Sequence, residues 1–190
     1  MSKKNLYRLV ATAMLAALAV VGVVAVHFPI LPAAPYLEYD ISDVFVLLGG
    51  LMFGPLSGLV ILVIAAAVQA LTVSASSGPV GFVMHVCSSS ALVVISGLLY
   101  HRIKNKKIAL PVGLLAGCLS TVALMIPLNI LLTGFYNGVP IPAIIQLIIP
   151  VIIPFNAIKC GANSIFATGV FIALQATGLM PRLVGNRQQI

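Results

Sequence analysis

Long apolar runs constrain the fold of this chain more than any other feature of its sequence. A helix that crosses a bilayer needs about 20 predominantly apolar residues, because the hydrocarbon core is about 30 Å thick. Five runs reach this length or nearly so, at residues 6–28, 55–73, 80–101, 110–134 and 155–178. Only 7% of the 190 residues are charged and 61% are hydrophobic, and so few charges cannot solvate a globule of this size. We therefore exclude a soluble monomer and expect an all-α integral membrane protein.

The basic residues predict how these runs are oriented. Nine of the ten form three clusters, before the first run, between the runs at 80–101 and 110–134, and after the last run: Lys3, Lys4 and Arg8; Arg102, Lys104, Lys106 and Lys107; Arg182 and Arg187. The positive-inside rule places all three clusters in the cytoplasm. We therefore interpret the net charge of +7 as a topology signal and expect no nucleic-acid partner.

Because all three clusters lie on the same side of the membrane, an even number of crossings must connect one cluster to the next. This requirement decides whether each of two shorter apolar runs crosses the membrane. The run at 42–53 must cross, whereas the proline-rich run at 142–153 is expected to be an outer loop or interfacial segment. We predict one transmembrane domain, residues 1–190, a six-transmembrane-helix bundle with cytoplasmic N- and C-termini. Its helices are expected at about 6–28, 42–53, 55–73, 80–101, 110–134 and 155–178. The three acids then fall on the outer side: Glu38, Asp40 and Asp43.

Lys159, the tenth basic residue, lies within the last predicted helix and away from the three clusters. It shares a helical face with Asn156 and Asn163, because their spacing is i, i+3, i+7. Asn129 of the preceding helix is expected at a similar depth. Three amides and an ammonium are costly in a membrane unless they face a wet cavity or a polar solute. We favour a binding site for a polar ligand with a planar, amide-like edge.

A structural interpretation of the same residues is open. Lys159 could snorkel to the outer headgroups, and each Asn could hold two helices together by a hydrogen bond. Met84 and His85, near the start of the fourth helix, are expected at a depth similar to that of Lys159, with Glu38 and Tyr39 in the loop above.

Proton relay and catalysis are both disfavoured by the sequence. His27 and His85 could relay protons, but no acid within a helix is expected to pair with them, which argues against a proton-coupled carrier. The chain has no GxxxxGK[ST] loop for ATP hydrolysis, and no well-placed base or intramembrane metal cluster is expected. The three cysteines are interpreted as packing thiols: Cys87, Cys118 and Cys160. We therefore expect that the protein is not an enzyme.

Three stretches resemble a known family. The first helix is alanine-rich, and Ala13 and Ala17 form a small-xxx-small stripe suited to close helix packing. The stretches LEYDISD at 37–43, GGLMFGP at 49–55 and PFNAIK at 154–159 are similar to those of the riboflavin-specific substrate-binding (S) components of energy-coupling-factor (ECF) transporters. The resemblance covers nearly the whole chain.

The resemblance implies a function and a set of site residues. An S component lies in the bacterial cell membrane, binds its vitamin from outside with high affinity, and performs no chemistry. The resemblance also implies docking through Ala13 and Ala17 onto a transmembrane coupling (T) subunit, which two ABC ATPases drive. Riboflavin is the implied cargo, and no cofactor is implied. The ligand contacts it implies are Glu38, Tyr39, Gly81, Met84, Asn129, Asn156 and Lys159, to which the helical-face argument adds Asn163.

Two other functions are open. The chain could be an S component for another vitamin or for a nucleobase-like solute. It could also be a small stand-alone carrier that uses an ion gradient.

Overall fold

The computed structural model describes residues 3–32, 34, 37–134 and 138–178, which form six helices and one short hairpin. The bounds are α1 Lys3–Ala25, α2 Ser42–Phe53, α3 Pro55–Leu71, α4 Gly78–Arg102, α5 Lys106–Thr133 and α6 Ile141–Ala176. A 3₁₀ turn, Ala75–Ser77, precedes α4. Arg182 and Arg187, predicted to mark the cytoplasmic end of the last helix, lie outside the described residues.

Four of these helices are long and apolar enough to cross a membrane: α1 over Asn5–Ala25, α4, α5 and α6. The other two are shorter. At 1.5 Å per residue, the 12 residues of α2 span about 18 Å and the 17 residues of α3 about 26 Å. The helical class is therefore established, while six crossings and two cytoplasmic termini stay predictions.

The segment at 142–153 differs from its expected structure. It is not a loop, because α6 is helical from Ile141 to Ala176 without a break. Pro150 lies in a π-helical turn, Ile148–Ile152. Proline has no N–H and its ring clashes with the carbonyl four residues earlier in an α-helix, so a local departure from α geometry, such as a π turn, is expected near it. Of the two expected alternatives, the loop is excluded because the helix accommodates Pro150 and Pro154, whereas an interfacial segment stays a prediction.

The short helix α2 occupies the centre of the bundle. Every residue of α2 except Phe45 is buried, and α2 contacts α1, α3, α4 and α6. A helix surrounded on all sides has no polar face, which explains its continuous apolar sequence. It ends at Gly54, where φ of +97° requires glycine, and Pro55 then begins α3.

A two-stranded antiparallel hairpin connects α1 to α2. Strand β1, His27–Pro29, pairs with β2, Glu38–Asp40, so that Phe28 lies opposite Tyr39. The hairpin covers the end of the bundle at which α2 and α4 begin, which we call the hairpin end. Strands of this length had no signal in the sequence.

Basic residues gather at the opposite end, which we call the basic end. Arg8 donates to Ser57 Oγ at 2.8 Å and 3.2 Å. Lys106 Nζ donates to the carbonyl oxygens of Tyr100 and Ile103 at 2.8 Å and 3.2 Å, which places a positive charge at the negative end of the α4 dipole. The Asn105 side chain caps α5 by accepting a hydrogen bond from the Lys107 N–H.

Candidate functional site

A buried ion pair lies where the hairpin meets α6. Lys159 Nζ is 2.7 Å from Asp40 Oδ2. Asp40 has no exposed surface, and Lys159 is only 9% exposed. Charges buried this deeply require a partner, because desolvation of either ion alone costs several kcal/mol. The ammonium is therefore neutralised inside the protein and does not snorkel to solvent.

Asp40 also connects the hairpin to α2 and α6. Its Oδ1 accepts a hydrogen bond from the Ser42 N–H at 3.0 Å and another from the Ser42 hydroxyl. Its main-chain carbonyl accepts from Asn163 Nδ2 at 3.1 Å, and Tyr39 OH donates to Asn163 Oδ1 at 3.0 Å. We call Tyr39, Asp40, Ser42, Lys159 and Asn163 the Asp40 network.

Two titratable groups of β2, Asp40 and Tyr39, are perturbed in opposite directions. Burial opposes ionisation of Asp40, but the Lys159 ammonium and His85, with hydrogen bonds from Lys159 and Ser42, hold the pKa of this carboxyl below its usual range. Burial and the charge of Asp40 raise the pKa of Tyr39. Asp40 is therefore an anion and Tyr39 a neutral hydrogen-bond donor at neutral pH.

Asn129 and Asn156 are buried beside unusual helical turns. Each donates its side-chain N–H to the carbonyl one turn earlier, Asn129 to Met125 at 2.7 Å and Asn156 to Ile152 at 2.8 Å. Asn129 begins the π-helical turn that ends α5. Within the described ranges neither amide oxygen has a hydrogen-bond partner, so both remain available as acceptors.

Glu38 belongs to a separate cluster. His27 Nε2 lies 2.7 Å from Glu38 Oε2, and the Ser74 hydroxyl lies 3.2 Å from Glu38 Oε2 and 3.3 Å from His27 Nε2. Ser74 follows α3, so these contacts tie the hairpin to the connection between α3 and α4. The structure does not bond Glu38 to Lys159.

A second histidine faces a carboxylate deeper in the protein. His85 Nε2 lies 3.7 Å from Asp43 Oδ1. That distance is too long for a hydrogen bond, and both buried atoms lack a partner among the described residues. Gly81 and Met84, half-buried, lie on the same two turns of α4, next to the start of α2.

The expectation that no acid within a helix would pair with a histidine is contradicted only for His85, since Asp43 belongs to the first turn of α2. Glu38 pairs with His27, and Asp43 faces His85. All three acids were expected on the outer side, and only Glu38 was assigned to the ligand site. The hairpin folds onto the bundle, and Asp43, which is 3% exposed, lies in the first turn of α2.

Three of the predicted ligand contacts come together in one network of five residues, and its other two members, Asp40 and Ser42, were not predicted to belong to the site. Tyr39, Lys159 and Asn163 are joined through Asp40, which sequence reasoning placed only on the outer side. A signal for Asp40 was available. A lysine within a membrane needs a counter-ion, and the chain has only three acids, all between residues 38 and 43.

The small-residue stripe of α1 faces away from the bundle. Ala13 and Ala17 are exposed, whereas Ala16 and Ala19 are buried. The same exposed face carries large apolar side chains: Val10, Met14, Leu18 and Val21. Ala13 and Ala17 are therefore open to lipid or to another protein.

The cysteines and metal-binding residues show no catalytic arrangement. Cys118 Sγ lies 3.5 Å from Ser164 Oγ, Cys160 is buried and Cys87 is half-buried. No group of three His, Cys, Asp or Glu residues comes together in the part of the chain that the structure describes. The polar interior can hold and orient a solute by hydrogen bonds.

Apolar helices around a buried polar network define a multi-pass membrane protein. Comparisons with known proteins identify its family. The family model for the substrate-specific component of ECF transporters matches residues 7–171. The chain is 28% identical over 176 residues to the riboflavin transporter FmnP of Bacillus subtilis (strain 168), which covers 88% of this chain and 92% of that protein.

A solved structure of the S component of a bacterial ECF transporter has the same fold. The TM-score is 0.68 with 25% sequence identity, and the match covers 90% of this chain and 96% of that one. The chain belongs to the family of substrate-specific components of ECF transporters, which confirms the family resemblance read from the sequence. It is therefore a transporter component of the cell membrane and not an enzyme.

Proposed function

We propose that this chain is a riboflavin-binding S component that takes up the vitamin together with an ATP-driven coupling module. The observation that carries the proposal is the unused hydrogen-bonding capacity of the buried polar face. Lys159 has three N–H donors and one partner among the described residues, Asp40. Two donors thus remain for a ligand in a place that excludes bulk water.

The chemistry of riboflavin matches these groups. Its isoalloxazine ring has a planar edge on which an N–H lies between two carbonyl groups. Lys159 would donate to a ring carbonyl, and the amide oxygens of Asn129 or Asn156 would accept from the N–H. Met84 would offer a polarizable sulfur to the flat ring, and the main chain of Gly81 would lie beside it.

The hairpin completes the proposed site. Tyr39 and Asn163 would form the inner surface of the site. Glu38 would accept hydrogen bonds from the ribityl hydroxyl groups nearer to the outside. Riboflavin would be cargo, and we propose that the protein uses no cofactor. The relative FmnP, named as a riboflavin transporter, supports this choice of ligand over other polar solutes.

For coupling, we propose that α1 docks onto a T subunit through Ala13 and Ala17. Small side chains allow close approach between membrane helices, and the exposure of both alanines supports the proposal. Two ABC ATPases would drive the T subunit. We also propose six crossings with both ends of the chain in the cytoplasm, which the separation of the basic end from the acidic hairpin end supports.

One observation favours a competing function. The pairs His27–Glu38 and His85–Asp43 resemble the carboxylate–histidine pairs of proton relays. A stand-alone ion-coupled carrier would move its solute without an ATPase, so uptake assays with and without the coupling module separate the two functions.

The proposed ligand is tested by titrating purified protein in lipid nanodiscs with riboflavin. We expect sub-micromolar binding, seen as quenching of flavin fluorescence, because the site would exclude water around the ring. Biotin and thiamine serve as competition controls and are expected to leave the quenching unchanged. Absence of binding would refute the riboflavin proposal, and displacement by another vitamin would favour an S component for that solute.

A further inference from the structure

We propose that Asp40 is a positioning residue that aims the Lys159 ammonium at the bound ligand. The inference deepens the proposed function and depends on it. The hairpin would thus set the direction of the hydrogen bond from Lys159 to the ligand, although no hairpin residue takes part in that bond.

The distribution of acids singles out Asp40 as the counter-ion. Glu38 is held by His27 and Ser74, and Asp43 faces His85. Asp40 alone among the three makes a hydrogen bond to Lys159, at 2.7 Å. The side chain of Lys159 has several rotatable bonds, so without this bond nothing in the described structure fixes the direction of its ammonium.

Asp40 is itself held rigidly. Its second carboxylate oxygen accepts two hydrogen bonds from Ser42, and its main-chain carbonyl accepts one from Asn163. Ser42 of α2 thus holds the carboxylate, and Asn163 of α6 holds the main chain of the same residue. When one N–H of Lys159 is engaged by Asp40, tetrahedral geometry restricts where its other two N–H groups point.

A double-mutant cycle separates positioning from a purely structural role. Riboflavin affinity is measured in nanodiscs for the wild type, Asp40→Asn, Lys159→Met and the double variant. Asparagine keeps the shape of the side chain and an oxygen for Ser42, but removes the charge that holds the ammonium. We expect Asp40→Asn to weaken binding by at least about 30-fold, as for other broken buried charge pairs.

The decisive comparison is between Lys159→Met and the double variant. If Asp40 acts through Lys159, removing Asp40 has no further effect once the lysine is gone, and the two affinities agree within about threefold. A purely structural role predicts that Asp40→Asn weakens binding by the same factor in both backgrounds, which would overturn the inference.

Asp43→Asn is the matched control. It removes the same charge three residues along the chain but leaves the bond between Asp40 and Lys159 in place. Its effect on affinity is expected to be the same with and without Lys159. If the coupling energy with Lys159→Met is the same for Asp43→Asn as for Asp40→Asn, only the net charge of the site matters. That result would overturn the positioning role.

Folding is followed in the same samples by thermal unfolding. If Asp40→Asn does not fold, the double variant is still expected to fold, because it leaves no unpaired buried charge. Failure of the double variant to fold while Lys159→Met folds would assign Asp40 a structural role and overturn the inference. A wild type that does not bind riboflavin would instead overturn the proposed function.

Discussion

At the scale of single residues, the ion pair between Asp40 and Lys159 needs a reason other than stability. Replacing a buried ion pair by apolar side chains is often neutral or stabilising, by about 1–4 kcal/mol. A pair retained inside an apolar bundle therefore points to a task for the ammonium. Asn129 and Asn156 are also buried, and among the described residues neither amide oxygen has a hydrogen-bond partner.

Asn129→Ala is expected to weaken riboflavin binding by about tenfold. The variant removes one hydrogen bond to the ligand, worth about 1–1.5 kcal/mol, and about 1.4 kcal/mol corresponds to a tenfold change. The measurement is fluorescence titration, with Asn105→Ala as the control because Asn105 caps α5 at the basic end. The control is expected to lower thermal stability and to leave affinity unchanged. Unchanged affinity in Asn129→Ala would place the ligand elsewhere.

At the scale of elements, two π-helical turns accompany two of the buried amides, Asn129 and Asn156. One begins at Asn129, shortly after Pro127, and the other, Ile148–Ile152, contains Pro150 and precedes Asn156. A π turn changes the direction in which the next side chains point, and such turns occur frequently at functional sites. The prolines were visible in the sequence, but a proline can end, kink or widen a helix. Neighbouring helices decide among these outcomes.

The exposed face of α1 yields a prediction about coupling. Ala13→Trp combined with Ala17→Trp is expected to abolish ATP-driven riboflavin uptake and to leave binding intact, because bulky rings prevent close approach to the T subunit. Uptake is measured in vesicles that contain the coupling module, with Leu119→Trp as a control, since Leu119 is already large, is 63% exposed and lies on α5 rather than on the exposed face of α1. Intact uptake in the double variant would reject this docking face. Uptake in vesicles without the module would favour an ion-coupled carrier.

At the scale of the whole molecule, charge is segregated between the two ends of the bundle. Arg8 and Lys106 bond to groups at the basic end, whereas Glu38 and Asp40 lie in the hairpin at the other end. Positive charge favours the cytoplasmic side of a membrane. The distance between the two ends is set by α4, whose 25 residues extend about 37 Å.

Cysteine labelling in intact cells tests this orientation. In a background without the native cysteines, Thr72→Cys at the hairpin end is expected to react with a membrane-impermeant maleimide. Lys104→Cys and Leu56→Cys, exposed positions at the basic end, are expected to react only after permeabilisation. Labelling of Leu56→Cys from outside would show that α2 does not cross. A reversed pattern would invert the whole topology.

Local properties of the sequence determined much of this protein. Hydropathy alone predicted membrane helices, and the predicted segment at 42–53 coincides with α2, Ser42–Phe53. The i, i+3, i+7 spacing placed Asn156, Lys159 and Asn163 on one face, and all three are buried. These features depend only on residues that are close together in the sequence, so they can be recognised from the sequence alone.

The tertiary structure alone decided which groups are partners. Asp40 meets Lys159 across 119 residues of chain, and His27 meets Ser74 across 47. The continuous helix through 142–153 also depends on packing, since its prolines permit more than one backbone geometry. Long-range contacts of this kind follow from how helices and the hairpin pack, and no local pattern specifies them. Charge balance could have narrowed the partner of Lys159 to three acids, but only the fold selected Asp40.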